Sequence, residues 1–235
     1  LTVKRKRYFM KINLEHSCQN SLLRLSPWRI IPGVSSMLSA PAYGHLVHRL
    51  CDPAEFGLAV SGANLAADFL APQSAPAIIE QFQSPGWALD FHTAQVKARI
   101  CGPLEAGWAS MGLMRGKTES SFHGFAADPG VLVCNPPGEG IEGRIAPGFE
   151  CTAVNIPVAL WEQCREMAGV QRSTFGSVMA HRLPPAAYSG IVQRLRSVRA
   201  LLSSAHTPEA AAFASREAAD ITTQLATLAW QLTAA

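Results

Sequence analysis

The sequence predicts an α+β fold: short antiparallel strands forming a small β-barrel or jelly roll, followed by a C-terminal α-helical hairpin. Three observations predict it. Between residues 87 and 156, short apolar stretches recur with Gly and Pro turns between them, which is the spacing of antiparallel sheet and not of βαβ units. At Pro157 the apolar period changes from 2 to 3.6. Beyond residue 184, two long amphipathic stretches are joined by a short break at 203–207.

Composition limits the options. With 235 residues and 48% hydrophobic content, the chain can bury one sizeable core. No apolar run approaches the ~18 residues of a membrane span, so a soluble, cytoplasmic protein with no membrane partner is expected. The net charge of +3 is unevenly placed. Residues 1–36 hold seven Lys/Arg against Glu15, which leaves 13 basic and 16 acidic residues in 37–235. The body therefore has no basic footprint for nucleic acid. The six cysteines (Cys18, Cys51, Cys101, Cys134, Cys151, Cys164) form no CxxC pair and stand at no zinc-ligand spacing from a His. Cys134, Cys151 and Cys164 sit at apolar positions of proposed elements and read as buried small hydrophobes in a reducing compartment, not as a redox sensor.

Residues 1–36 differ from the rest. Lys4-Arg5-Lys6-Arg7 precedes no apolar core, so it makes a poor signal peptide. Pro27, Pro32 and Gly33 break any periodicity. The expectation is a natural start at Met37, with 1–36 a disordered or non-native leader; the alternative is a basic nucleic-acid-binding tail.

Residues 40–50 are ambiguous. His45 and His48 stand three apart, as two ligands on a helix could, but with no third ligand nearby they read as solvent-exposed. Residues 56–60 read as a short strand, 64–70 as its continuation or a helical turn, and 78–82 as a brief apolar segment after Pro72 and Pro76. Trp87, Leu89 and Phe91 alternate, as do Val96, Ala98 and Ile100, before the Gly102-Pro103 turn. Residues 108–114 form another strand, with Gly107 and Gly112 where a curved sheet would use them. Segments 119–125, 131–134, 140–145 and 149–156 bring the count to about seven or eight, enough for a barrel or jelly roll without open edges.

The stretch 131–169 carries the most information. Phe149, Cys151, Ala153 and Asn155 alternate with Glu150, Thr152, Val154 and Ile156. Pro157 suits a first helical turn, where its missing N–H breaks no bond. Leu160, Cys164, Met167 and Ala168 then share a face, and Gly169 is a good stop. A Pro147-Gly148 turn, the strand FECTAVNIP and a helix opening on its Pro resemble the end of the sensor domain in AraC/XylS-type transcriptional regulators. Residues 82–115 resemble that sensor's early strands, and Asp52-Pro53 sits where the family places an acidic lead-in. The resemblance covers residues 51–232.

It implies a cupin-like barrel over 37–156 with an effector cavity in its mouth, and a helical dimerisation region over 157–235. The implied protein is no enzyme and has no cofactor; it senses an unknown small-molecule effector and pairs as a homodimer. Trp87, Phe91 and Trp108 are the candidate effector-binding residues, as aromatics on the proposed strands. Metal-using relatives of this barrel carry His-x-His, then an acid, then a further His. Here His92 and His123 stand alone on separate strands, and Glu105, Glu119 and Glu139 are scattered among turns, so no metal site is expected. There is no GxSxG, GxxxxGK[ST], HExxH, or GxGxxG after a strand, and Gly138-Glu139-Gly140 is a turn. The alternative is a stand-alone cupin-like protein, a metal-free binding or protein-interaction module.

The C-terminal helices read clearly. Over 185–204, Tyr188, Ile191, Val192, Leu195, Val198, Leu201 and Leu202 share a face, with Arg194, Arg196 and Arg199 on the solvated remainder. Thr207 is a good N-cap, Pro208 a good first residue, and Glu209 suits the positive end of the dipole. Ala211, Ala214, Ala218, Ile221, Leu225, Leu228 and Leu232 then follow in steps of three and four, a heptad seam. The seam reads as one side of an antiparallel hairpin, and from Ala214 to Leu232 it is also the candidate dimer surface. The family's DNA-reading part is two helix-turn-helix units after such helices. Only three residues follow Leu232, so the chain is expected to reach DNA only through a C-terminal domain missing from it.

Overall fold

A computed structural model describes residues 43–71, 75–116, 119–171 and 177–234, apart from the side chains of 57 and 58. The expectations for the leader 1–36, for Met37 and for Cys18 lie outside the described residues. The chain begins with β1 (Gly44–Leu50), a 3₁₀ turn (Pro53–Glu55) and α1 (Phe56–Ala59). Next come β2 (Ala66–Phe69), β3 (Ala77–Ser84), β4 (Trp87–Ala94), β5 (Ala98–Pro103) and β6 (Trp108–Met114). The small hairpin β7 (Ser121–Phe122) and β8 (Phe125–Ala126) precedes β9 (Val131–Asn135), β10 (Gly140–Ile145) and β11 (Phe149–Pro157). The last part is α2 (Val158–Met167), β12 (Met179–Arg182), α3 (Pro185–Ser204) and α4 (Pro208–Ala234).

The strands form two antiparallel sheets, one ordered β1-β3-β4-β11-β6-β9-β12 and the other β2-β5-β10-β7-β8. Directly paired residues share a face. Ile79, His92, Cys151 and Met114 therefore stand in one row on one side of the larger sheet, and Glu80, Phe91, Thr152 and Leu113 in the next row on the other. The second side packs on the helices: Leu89, Met111, Leu132 and Ile156 join Trp161, Leu195, Ile221 and Trp230 in one core. The first side packs on the smaller sheet, where Ile79, Val133 and Cys151 meet Leu65, Ile100 and Ile145. Central strands are thus buried on both faces, as in β9, where every residue is buried. Each fully buried Leu or Ile contributes about 1.5–3 kcal/mol relative to exposure.

The helix ends follow their local chemistry. Gly169, at φ 73°, ends α2 in the left-handed conformation a side chain disfavours; its N–H bonds to the Glu166 carbonyl at 3.0 Å. Thr207 caps α4, its hydroxyl accepting from the Ala210 N–H at 3.2 Å. Near the other end of α4, the Trp230 indole N–H donates to the Trp161 carbonyl at 3.0 Å, and the two rings lie 4.9 Å apart.

The expected closed barrel does not form. Among the described residues no ladder joins the two sheets: β1 and β12 remain edges of the larger, β2 and β8 of the smaller. The larger sheet is instead a middle layer, apolar on both sides because helices cover its outer face. Residues 56–60 are not a strand. Asp52 caps the 3₁₀ turn through the Ala54 N–H at 2.9 Å, Glu55 accepts from the Asp52 N–H at 3.2 Å, and the turn runs on into α1. The ambiguous 40–50 contains β1, and 64–70 contains β2. The end of β11 is not the end of the sheet, since β12 returns after α2 to pair with β9. No helix among the described residues is long and apolar enough to cross a membrane.

Candidate functional site

A cavity of ≈ 60 Å³ lies between the two sheets. Ile100 and Ile145 line it from the smaller sheet, and Met114 and Val133 from the larger. Phe56, Val60 and Leu65 form a third wall, from the segment that runs through α1 to β2. Against these, the polar lining residues described are His92, Ser110, Asn135 and Cys151. Their register explains the grouping. His92 on β4 is paired with Cys151 on β11, and Asn155, Ser110 and Asn135 form a polar row across β11, β6 and β9.

Two of these groups are unsatisfied. The His92 Nε2 and the Asn135 Oδ1 are buried and have no hydrogen-bond partner. Native interiors pair nearly all such atoms with protein, water or ligand. Burial, with a smaller push from the Arg115 guanidinium, holds the His92 imidazole down to about 4, so it is neutral near pH 7. A neutral imidazole nitrogen is a donor or an acceptor according to its tautomer.

Asp90 lies one step along the same face and is fully buried. It accepts from the Ser61 N–H at 2.8 Å, the Ser61 hydroxyl at 2.8 Å and the Asn155 side-chain amide at 3.4 Å. Burial pushes its carboxyl up to about 6, and the hydrogen bonds from Ser61 and Gln81 oppose that push. Ser61 belongs to the segment that supplies Phe56, Val60 and Leu65, so Asp90 anchors that wall. Burial also pushes the Cys151 and Cys134 thiols up to about 12. Neither is a thiolate at neutral pH, and neither is suited to nucleophilic chemistry. Among the described residues, no group of three or more His, Cys, Asp or Glu is placed to hold a metal ion.

The three candidate aromatics, Trp87, Phe91 and Trp108, stand away from this cavity. Trp87 and Phe91 face the helices, in the core with Leu89 and Trp161, and the Arg199 guanidinium sits 5.1 Å over the Phe91 ring. Trp108 opens β6 against Gly62, where an added Cβ would meet its ring at 3.1 Å. None of the three lines the cavity. The other alternation of β4, through Ala88, Asp90 and His92, is the inward one. Polar residues set at every second position of an apolar strand were the available signal; Asn135 and Ser110 carried none beyond their place on strands.

The seam residues are also placed inside. Ala214, Ala218, Ile221 and Leu225 are buried in the chain's own core, and Leu228 and Leu232 pack against it. Leu201 and Phe213, by contrast, are 36% and 46% exposed. Arg194 is engaged across the helical hairpin with Asp220 at 3.2 Å, Glu217 at 3.5 Å and Gln224, and Arg199 pairs with Glu80 on β3.

His45 stacks on Phe82 with centroids 4.3 Å apart and bonds Glu80 at 3.1 Å, while His48 is half-buried rather than solvent-exposed. His123 occupies the β7–β8 turn at φ 48°, its Nε2 accepting from the Glu142 N–H at 3.3 Å. It stands apart from His92.

No family model matches the chain, and no curated protein matches it.

Proposed function

We propose that this chain is the effector-sensing part of a cytoplasmic AraC-type transcriptional regulator, with the cavity between the sheets as its effector site. The observation that carries the ligand-binding reading is the pair of buried, unpartnered atoms His92 Nε2 and Asn135 Oδ1 in a cavity lined mainly by apolar residues. An interior that satisfies its polar groups leaves such a pair for a molecule to satisfy. The regulator part of the reading rests on the resemblance around FECTAVNIP, and the passage from β11 directly into α2 supports it. In this reading a cupin-like sensor couples its cavity to α2, α3 and α4, which pair two copies. Since the seam faces inward, the pairing surface would be the outer side of the helices, around Leu201 and Phe213.

Thermal melting against a panel of small neutral, acidic and basic compounds tests the sensor. A molecule that binds only the folded state raises Tm with the logarithm of its concentration. Sedimentation equilibrium tests the pairing. Flat melting curves across the panel and a monomer at every concentration would favour a stand-alone protein-interaction module.

A further inference from the structure

We propose that the cavity between the sheets takes a small uncharged molecule, a compact apolar body carrying one hydroxyl or primary amide held between His92 and Asn135. The proposal rests on the reading of that cavity as the effector site and names the chemistry of what fills it. Size comes first. A water needs about 10–15 Å³ of such space, so ≈ 60 Å³ suits about four to six non-hydrogen atoms.

Charge comes second. No charged side chain is among the described lining residues, and an ion moved there would lose its hydration without a counter-charge. Asp90 is already occupied by Ser61 and Asn155. Arg115 lies close enough to influence His92, but it does not line the cavity, and its guanidinium is 4.0 Å from Glu150.

Hydrogen bonding comes third. Asn135 offers a carbonyl oxygen, an acceptor, and His92 offers one neutral ring nitrogen. A primary carboxamide, with two donors and an acceptor, can donate to the first and complete the second whichever tautomer His92 adopts, whereas a hydroxyl, having one proton, does both only when His92 Nε2 carries the hydrogen. A hydrocarbon would leave both atoms unpaired, and a carboxylate could not donate to Asn135.

Isobutyramide, isobutyrate and isobutylammonium are near-isosteric probes of about this size. Titrated into the isotopically labelled protein, isobutyramide is expected to shift the His92 ring and Asn135 side-chain resonances saturably. The two ions should bind at least about tenfold more weakly. His92→Phe and Asn135→Leu should each melt at or above the wild-type temperature and lose the isobutyramide response; a merely structural role for either side chain would lower its melting temperature instead. Isobutyrate binding as well as the amide would overturn the uncharged class while leaving the cavity as the effector site. Unchanged titrations in both variants would overturn the assignment of the polar end. If no probe reaches the cavity and the wider compound panel leaves melting unchanged, both the ligand class and the reading beneath it fail. The charge comparison uses the wild-type chain, so it stands even if a variant does not fold.

Discussion

Asp90 accepts two hydrogen bonds from Ser61, one from the backbone N–H and one from the hydroxyl, each at 2.8 Å. The pair ties β4 to the segment that walls the cavity. His92 lies two residues further along the same face, with its Nε2 buried and unpartnered. Burial acts on the two charges in opposite senses, raising the Asp90 carboxyl from 3.8 to about 6 and lowering the His92 imidazole from 6.5 to about 4.

Opposed pH dependence follows. A carboxyl whose pKa rises on folding stabilises the fold fully below 3.8, and that contribution is lost as pH rises to about 6. An imidazole whose pKa falls on folding contributes fully above 6.5, and its contribution is lost as pH falls to about 4. Each effect is on the order of 3 kcal/mol at ~1.4 kcal/mol per pH unit, so between them the wild-type chain is nearly flat over this window. Asp90→Asn leaves only the imidazole and should lose stability on acidification. His92→Phe leaves only the carboxyl and should gain it. Urea midpoints at about pH 4.5 and about pH 6.5 measure both, and slopes of the same sign in the two variants would refute the opposition.

Gly102 allows a close backbone approach. A Cβ there would lie 2.1 Å from the Asn64 carbonyl oxygen and 2.9 Å from the Leu65 Cα, neither of which can swing aside as a flexible side chain would. Gly102→Ala should therefore destabilise by about 1–3 kcal/mol or more and disturb the wall that carries Leu65. At Gly86 an added Cβ meets nothing within 4 Å, so Gly86→Ala should stay within about 0.5 kcal/mol of wild type. Equal denaturation midpoints for the two variants would contradict the close approach.

Trp230 joins α4 to α2 through both ring contact and hydrogen bond. Trp230→Ala should cost about 3–5 kcal/mol as a buried aromatic is removed. Trp230→Phe keeps a ring but loses the N–H donor, and should cost at least about 1 kcal/mol. Guanidinium unfolding separates the two, and a smaller loss for Ala than for Phe would mean the ring is not part of the core.

Much of the fold was legible because local chemistry fixed it. Pro157 and Gly169 mark the turn of β11 into α2 and the end of that helix, and Thr207-Pro208 mark the start of α4. β10 runs over 140–145 as read, because turns bound it at each end. β12 escaped notice: four residues paired only to β9 carry too short a period to read. Which face of β4 lines the cavity was not legible, for a different reason. β4 is largely buried on both sides, and its larger apolar residues, Trp87, Leu89 and Phe91, looked like the inward set. Helices cover that side, and only tertiary packing reveals which alternation faces which layer.

The same ambiguity governs the α4 seam, and mutation resolves it. Leu225 is 1% exposed and belongs to the core shared by the helices and the larger sheet. Leu225→Ala should lower stability by about 2–5 kcal/mol, and the loss should not depend on protein concentration, because no second copy is involved in the contact. Phe213, 46% exposed on the same helix, should behave in the opposite way. Phe213→Asp should leave the stability of the isolated chain within about 0.5 kcal/mol, while weakening self-association if the helices pair two copies through their outer side. Melting at protein concentrations about a hundredfold apart, together with sedimentation equilibrium, distinguishes the two effects. If Leu225→Ala yielded a folded monomer from a dimer, the seam would be an interface after all and the intramolecular core would be the wrong description of α4.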